Sequence, residues 1–156
     1  MSPSEYTESM LVDLQRPIII TVRDESEGGQ QPSWCSDNRI GLYKRYMSMA
    51  TLVDIEASTA IELAEAVDYA RQNDVGIIVS AHDFNGVPSA SAIDKLIETF
   101  LAVGGDILKI AVMPKRFSEL LSFFECVCRA DDAYGIFIAP MAMGEFGKIS
   151  RVMAGR

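Results

Sequence analysis

The sequence predicts an α/β fold, a (β/α) barrel of the TIM type with parallel strands inside, helices outside and about five of its eight strands. Three observations predict it. Short apolar runs alternate with segments of helical periodicity in five successive units, each about thirty residues long. The runs read as apolar on both faces, as strands do when a parallel sheet is covered on both sides. No linker or low-complexity stretch divides the 156 residues, so a single partial barrel domain over residues 1–156 is expected.

The first strand is expected at residues 17–22, PIIITV, a run rich in β-branched residues, after a helix over residues 5–14. A polar, glycine-bearing loop over residues 24–36 follows. A helix over residues 39–50 then carries Ile40, Tyr43, Tyr46 and Met47 on one stripe, with Asn38 as its cap. Residues 51–56, TLVDIE, give the second strand. Thr59 and Glu62 form a capping-box pattern ahead of a helix reaching Asn73, with Ile61, Ala64, Val67 and Ala70 on its apolar stripe. The third strand is expected at residues 76–80, GIIVS, before the loop AHDFNGVP and a helix over residues 89–103 that Gly104 ends. Residues 106–113, DILKIAVM, give the fourth strand, and a helix runs from Pro114 to about Ala130. The fifth strand is expected at residues 136–139, IFIA, and residues 148–156 start a last helix.

Charge narrows the function classes. Fourteen basic against 22 acidic residues leave a net charge of −8, which excludes a phosphate backbone as the expected partner. A small anionic substrate stays open, because a site can be locally cationic in an acidic protein. Cys35, Cys126 and Cys128 show neither zinc spacing nor a disulfide framework and are expected as free thiols. No stretch approaches the ~18 apolar residues of a membrane span, and residues 1–10 lack a leader pattern. The expected location is the cytoplasm, with no membrane partner.

The chemistry-bearing residues interrupt this pattern at strand ends. Arg23 and Glu27 follow the first strand, His82 and Asp83 the third, and Met141, Met143 and Gly144 the fifth, while Lys109 lies inside the fourth. Active sites of (β/α) barrels form at the C-terminal rim of the strands. Lys109 sits among Ile107, Leu108, Ile110, Ala111 and Val112. A buried ammonium without a partner tends to lose its proton, and a neutral amine can form an imine with a ketone. The alternative is that Lys109 reaches the rim, or pairs with Glu56 or Asp106. His82, the sole histidine, stands where a general acid/base would, or is a capped loop residue. Glu27 can orient the imidazole, or is a solvated loop acid. Arg23 suits bidentate binding of carboxylate or hydroxyls, or forms a salt bridge to Asp54 or Glu56. Gly28-Gly29 and Gly104-Gly105 lack the spacing of phosphate loops and read as turn and helix-stop residues.

Five strings, PIIITVRDESEGGQ, LVDIE, GIIVSAHDFNGVPS, GDILKIAVMP and APMAMGEFGKISRVMAG, together resemble type I 3-dehydroquinate dehydratase from Pro17 onward. The resemblance implies a hydro-lyase of the shikimate pathway that turns 3-dehydroquinate into 3-dehydroshikimate without metal or organic cofactor. It implies that Lys109 forms the imine with the substrate ketone, that His82 transfers protons and that Glu27 holds the His82 tautomer. Arg23 would contact substrate hydroxyls, Arg151 would pair with the substrate carboxylate, and Met141 and Met143 would wall the site.

The family's barrel has eight strands over about 250 residues, and this chain shows five. The two leading βα units with their Glu-x-Arg motif, and the last strand with its covering loop, are not found. A chain truncated at both ends in this way is expected to self-associate through its open sheet edges. A non-catalytic binding or regulatory module of the same fold, or an inactive fragment, is the competing expectation; another lysine-imine enzyme such as an aldolase is disfavoured by the His-Asp-Phe and Glu-Gly-Gly strings.

Overall fold

The computed structural model describes residues 16–30 and 35–153. The helix expected over residues 5–14 lies outside them. Five strands, β1 (Ile19–Thr21), β2 (Leu52–Glu56), β3 (Gly76–Asp83), β4 (Ile107–Val112) and β5 (Ile138–Ala142), form one sheet in sequence order. Every neighbouring pair is parallel. Helices connect them: α1 (Ser36–Tyr46), α2 (Ala64–Gln72), α3 (Ala90–Val103), α4 (Phe117–Tyr134) and α5 (Gly147–Met153). Among the described residues the sheet is open, with β1 and β5 as its edges. This is the expected (β/α)-barrel order in partial form.

The strands are not apolar on both faces, which corrects the sequence expectation. Side chains alternate along a strand, and here the alternation separates two chemistries. Val53, Ile55, Ile77, Val79, Leu108, Ile110 and Val112 belong to one buried apolar cluster with residues of the helices, among them Tyr43, Val67, Ile97, Phe100 and Phe123. The alternate residues, Asp54, Glu56, Ser80, His82 and Lys109, bond to one another and to Arg23 and Glu27 on the opposite, inner face.

Local differences have local causes. The cap at Asn38 is replaced: α1 begins at Ser36 after Cys35, and its buried line is Arg39, Tyr43 and Met47. The capping box is not formed, because Thr59 hydrogen-bonds Glu56 and Ser36 donates to Glu62 instead. α2 therefore starts at Ala64. Its buried line is Leu63, Ala66, Val67 and Ala70, while Ile61, expected in the stripe, is 91% exposed. α3 is capped by the Ser89 hydroxyl and, as expected, stopped by Gly104, here in the left-handed region. α4 runs on to Tyr134, where Gly135 with φ 60° ends it. β5 begins at Ile138, two residues later than the run IFIA suggests, because its register is set by pairing of Leu108 with Ile138. Phe137 is left 64% exposed. Pro140 is tolerated because an edge strand does not need every N–H.

One buried side chain ties β2 to the residue that follows β1. The Tyr43 hydroxyl donates to the Asp54 carbonyl at 2.6 Å and accepts from the Val22 N–H at 3.2 Å. Burial pushes its phenol up to about 12, so it stays a donor through the neutral range.

Candidate active site

The inner face gathers its charges from β2, β3 and β4 and from the segment after β1. Asp54 on β2 is 2% exposed, and both of its oxygens are used. Oδ1 accepts from the Ser80 hydroxyl at 2.5 Å; Oδ2 accepts from Arg23 Nη2 at 2.8 Å and from Lys109 Nζ at 2.9 Å. Burial alone would raise this carboxyl; the Ser80 hydrogen bond and the Arg23 and Lys109 cations outweigh it and hold it below its ordinary value. Glu56, fully buried, lies between two guanidinium groups, those of Arg23 and Arg39. No described buried side-chain polar atom is left without a partner, the condition under which a buried ionic cluster is tolerated.

Lys109 thus differs from the sequence expectation in its surroundings. Its backbone neighbours are aliphatic, but its amine is not isolated: it meets Asp54, not the Glu56 or Asp106 weighed from the sequence. Asp106 instead accepts from the backbone N–H of Ile77. The Lys109 side chain is 24% exposed, so its tip is reachable from the open inner side.

His82 lies within β3, which continues to Asp83, rather than in the loop beyond it. Register pairs Ser80 with Lys109 and His82 with Ala111. The ring and the amine therefore sit on the same face of adjacent strands, two positions apart along β3. Glu27 Oε2 accepts from the His82 backbone N–H at 3.1 Å and stands 3.0 Å from ring Nδ1. A carboxylate there makes Nδ1 the protonated nitrogen and leaves Nε2 as the base. Glu27 is not a solvated loop acid: its side chain is 11% exposed, and its other oxygen accepts from Ser58 at 2.5 Å. Burial pushes its carboxyl up, but the His82 and Ser58 hydrogen bonds prevail and hold it below its ordinary range.

The Gly28-Gly29 pair makes this reach possible. A 3₁₀ turn at Glu25–Glu27, capped by Asp24, swings Glu27 back over β3. Gly28 closes the turn at φ 94°, and a Cβ there would lie 3.1 Å from the Phe84 ring. A Cβ on Gly29 would lie 2.3 Å from the Arg23 carbonyl oxygen. Phe84 in turn stacks on His82, centroids 6.3 Å apart at 16°.

The remaining candidates are placed unequally. Arg23 adopts the salt bridges weighed from the sequence, to both Asp54 and Glu56, and its side chain is 17% exposed. Met141 pairs in register with Ala111, beside the His82 row, and Met143 follows β5; both are half-buried. Arg151 is exposed and turns back to donate to the Gly147 carbonyl at 2.9 Å, so no contact brings it to the cluster. Sequence reasoning missed Arg39, 3% exposed, which donates to the Val22 carbonyl and holds Glu56 from α1. Its place four residues before Tyr43 and eight before Met47, on the buried helix line, was the available signal. Asp54 entered the sequence reading only as a salt-bridge partner for Arg23. Among the described residues no group of three or more His, Cys, Asp or Glu is disposed to hold a metal ion.

The chain resembles proteins already known. The chain is 32% identical over 139 residues to a 3-dehydroquinate dehydratase of Methanococcoides burtonii, covering 88% of this chain and 57% of that protein. It is 33% identical over 142 residues to one of Methanosarcina mazei, covering 88% and 58%. The chain thus spans less than two thirds of the length of these curated relatives. The type I 3-dehydroquinate dehydratase structure of Clostridium difficile, carrying covalently modified comenic acid, superposes with a TM-score of 0.85 at 28% identity, over 94% of this chain and 61% of that one. That of Geobacillus kaustophilus gives 0.82 at 29%, over 88% and 55%. The family description type I 3-dehydroquinase matches residues 1–156, and with fold and sequence in agreement, the chain belongs to that family.

Proposed function

We propose that this chain carries the chemistry of a 3-dehydroquinate dehydratase, removing water from 3-dehydroquinate to give 3-dehydroshikimate through an imine on Lys109. The observation that supports it best is the shared inner face: Lys109 and His82 on adjacent strands, with the His82 ring oriented by Glu27. The neutral Lys109 amine adds to the substrate ketone, and loss of water from that adduct gives a protonated imine. The imine takes up electrons as His82 Nε2 removes the proton from the neighbouring carbon. The carbon–oxygen bond to the departing hydroxyl then breaks, and the His82 imidazolium returns the proton to it, releasing water. Hydrolysis of the imine frees the product and restores the amine.

Arg23 and Arg151 are proposed to contact substrate hydroxyls and carboxylate, and Met141 and Met143 to wall the site. Arg23 would share its donors between substrate and Asp54; Arg151 would have to leave the Gly147 carbonyl. Such a step belongs to the shikimate pathway, and three free thiols suit a reducing cytoplasm. No helix among the described residues is long and apolar enough to cross a membrane.

The deciding experiment is borohydride reduction in the presence of 3-dehydroquinate, followed by peptide mass spectrometry. A stable adduct on Lys109 is expected. An unmodified Lys109 under conditions that trap a relative in full would sink the reading.

Self-association is proposed as well. Both edge strands run in the same direction, so the backbone groups of β5 left unpaired among the described residues complement those of β1 in a second copy. Light scattering should show species larger than one chain; a monodisperse monomer contradicts this.

A further inference from the structure

We propose that Asp54 is the positioning residue for Lys109: its carboxylate anchors the amine to the inner face until a ligand displaces the pair. The inference rests on the imine reading, and it names the group that controls the nucleophile of that reaction.

The geometry is specific. Asp54 Oδ2 meets two cations, Lys109 from β4 and Arg23 from the segment after β1, while Oδ1 is fixed by Ser80 from β3. Three donors on two strands and the segment after β1 leave this carboxylate little freedom, and its 2% exposure leaves it little water. The other groups facing the cluster cannot take its place. Glu56 on β2 is already bound by Arg23 and Arg39. Glu27 is committed to His82 and Ser58. Asp24 pairs with Arg39, and β5 presents uncharged Met141. Lys109 and Arg23 both lie within hydrogen-bond reach of one oxygen, so without Asp54 two cations would face each other with no anion between them. Loss of that one charge should therefore release the Lys109 amine and change how readily it reacts.

Competitive acylation of amines with acetic anhydride across a pH series, read by mass spectrometry on the Lys109 peptide, tests this in the whole chain. In Asp54→Asn the Lys109 labelling curve should move to lower pH, as expected for removal of an opposite charge at contact. Ser80→Ala, which keeps every charge, should move it by much less. An Asp54→Asn curve that overlays the parent curve overturns the proposal. Should Asp54→Asn fail to fold, the unaltered protein still decides: a Lys109 side-chain ammonium resonance in ¹⁵N-lysine spectra should persist at neutral pH, where exposed lysines exchange too fast to be seen. Its absence overturns the proposal too. The acylating reagent needs no ketone, so a chain that forms no imine still reports on Asp54, and failure of the imine reading appears only in the borohydride experiment.

Discussion

Along β2, Val53 and Ile55 pack among the helices while Asp54 and Glu56 face the other way, into Arg23, Arg39, Ser80 and Lys109. The same division runs through β3 and β4. One face is a conventional apolar core, whose members can be exchanged for others of similar volume. The other is a network of ions that hold each other in place, where loss of one partner strands the next. The comparison teaches that stability and chemistry are drawn from alternate residues of the same strands, so substitutions one position apart should separate them.

The sharpest way to break that comparison is Lys109→Met on the inner face. It should abolish the borohydride adduct and lower turnover at least about a thousandfold while the chain stays folded by circular dichroism. His82→Ala should come next, costing about 10²- to 10⁴-fold in turnover yet still giving an adduct on Lys109. Seeing the adduct vanish as well would mean that His82 is needed already for imine formation. One position from Lys109, Leu108→Ala should do the opposite. It removes a fully buried side chain from the helix-facing core and should cost about 2–5 kcal/mol in urea denaturation, with turnover per folded molecule unchanged. If Leu108→Ala instead lost activity without losing stability, the two faces would not be separable.

The smallest effect concerns acid. Asp54 and Glu27 are both held below their ordinary values of 3.8 and 4.5. A carboxylate depressed in the folded state contributes stability that is present above its unfolded value and is lost as pH falls through the folded one. Melting temperature should therefore decline as pH drops below about 4, and Asp54→Asn should flatten part of that decline. An unchanged slope in Asp54→Asn would mean that other groups govern the acid limb.

The helix-facing surface was the more legible of the two. Apolar runs such as GIIVS and DILKIAV mark β3 and β4, because burial between sheet and helices demands them. The inner face was legible only as exceptions: Arg23, Glu27, His82 and Lys109 stand out where their residue types break the pattern. Partners among them were not legible. Which carboxylate meets Lys109 depends on the register of β2 against β3 and β3 against β4, a quantity no local window contains. Arg39 escaped because its helix was read from apolar residues alone, although it lies on their line. β5 was displaced because Phe137 strengthens the apolar run, although its carbonyl alone accepts from the Leu108 N–H while its side chain stays exposed.

Gly29 carries a consequence out of proportion to its size. The backbone it presses against belongs to Arg23, and the turn just before it delivers Glu27. A single methyl at position 29 would have to push these apart, loosening at one stroke the guanidinium beside Asp54 and the carboxylate beside His82. The amine half and the imidazole half of the cluster thus share one hinge of bare backbone, and they are vulnerable together through an atom that is not there.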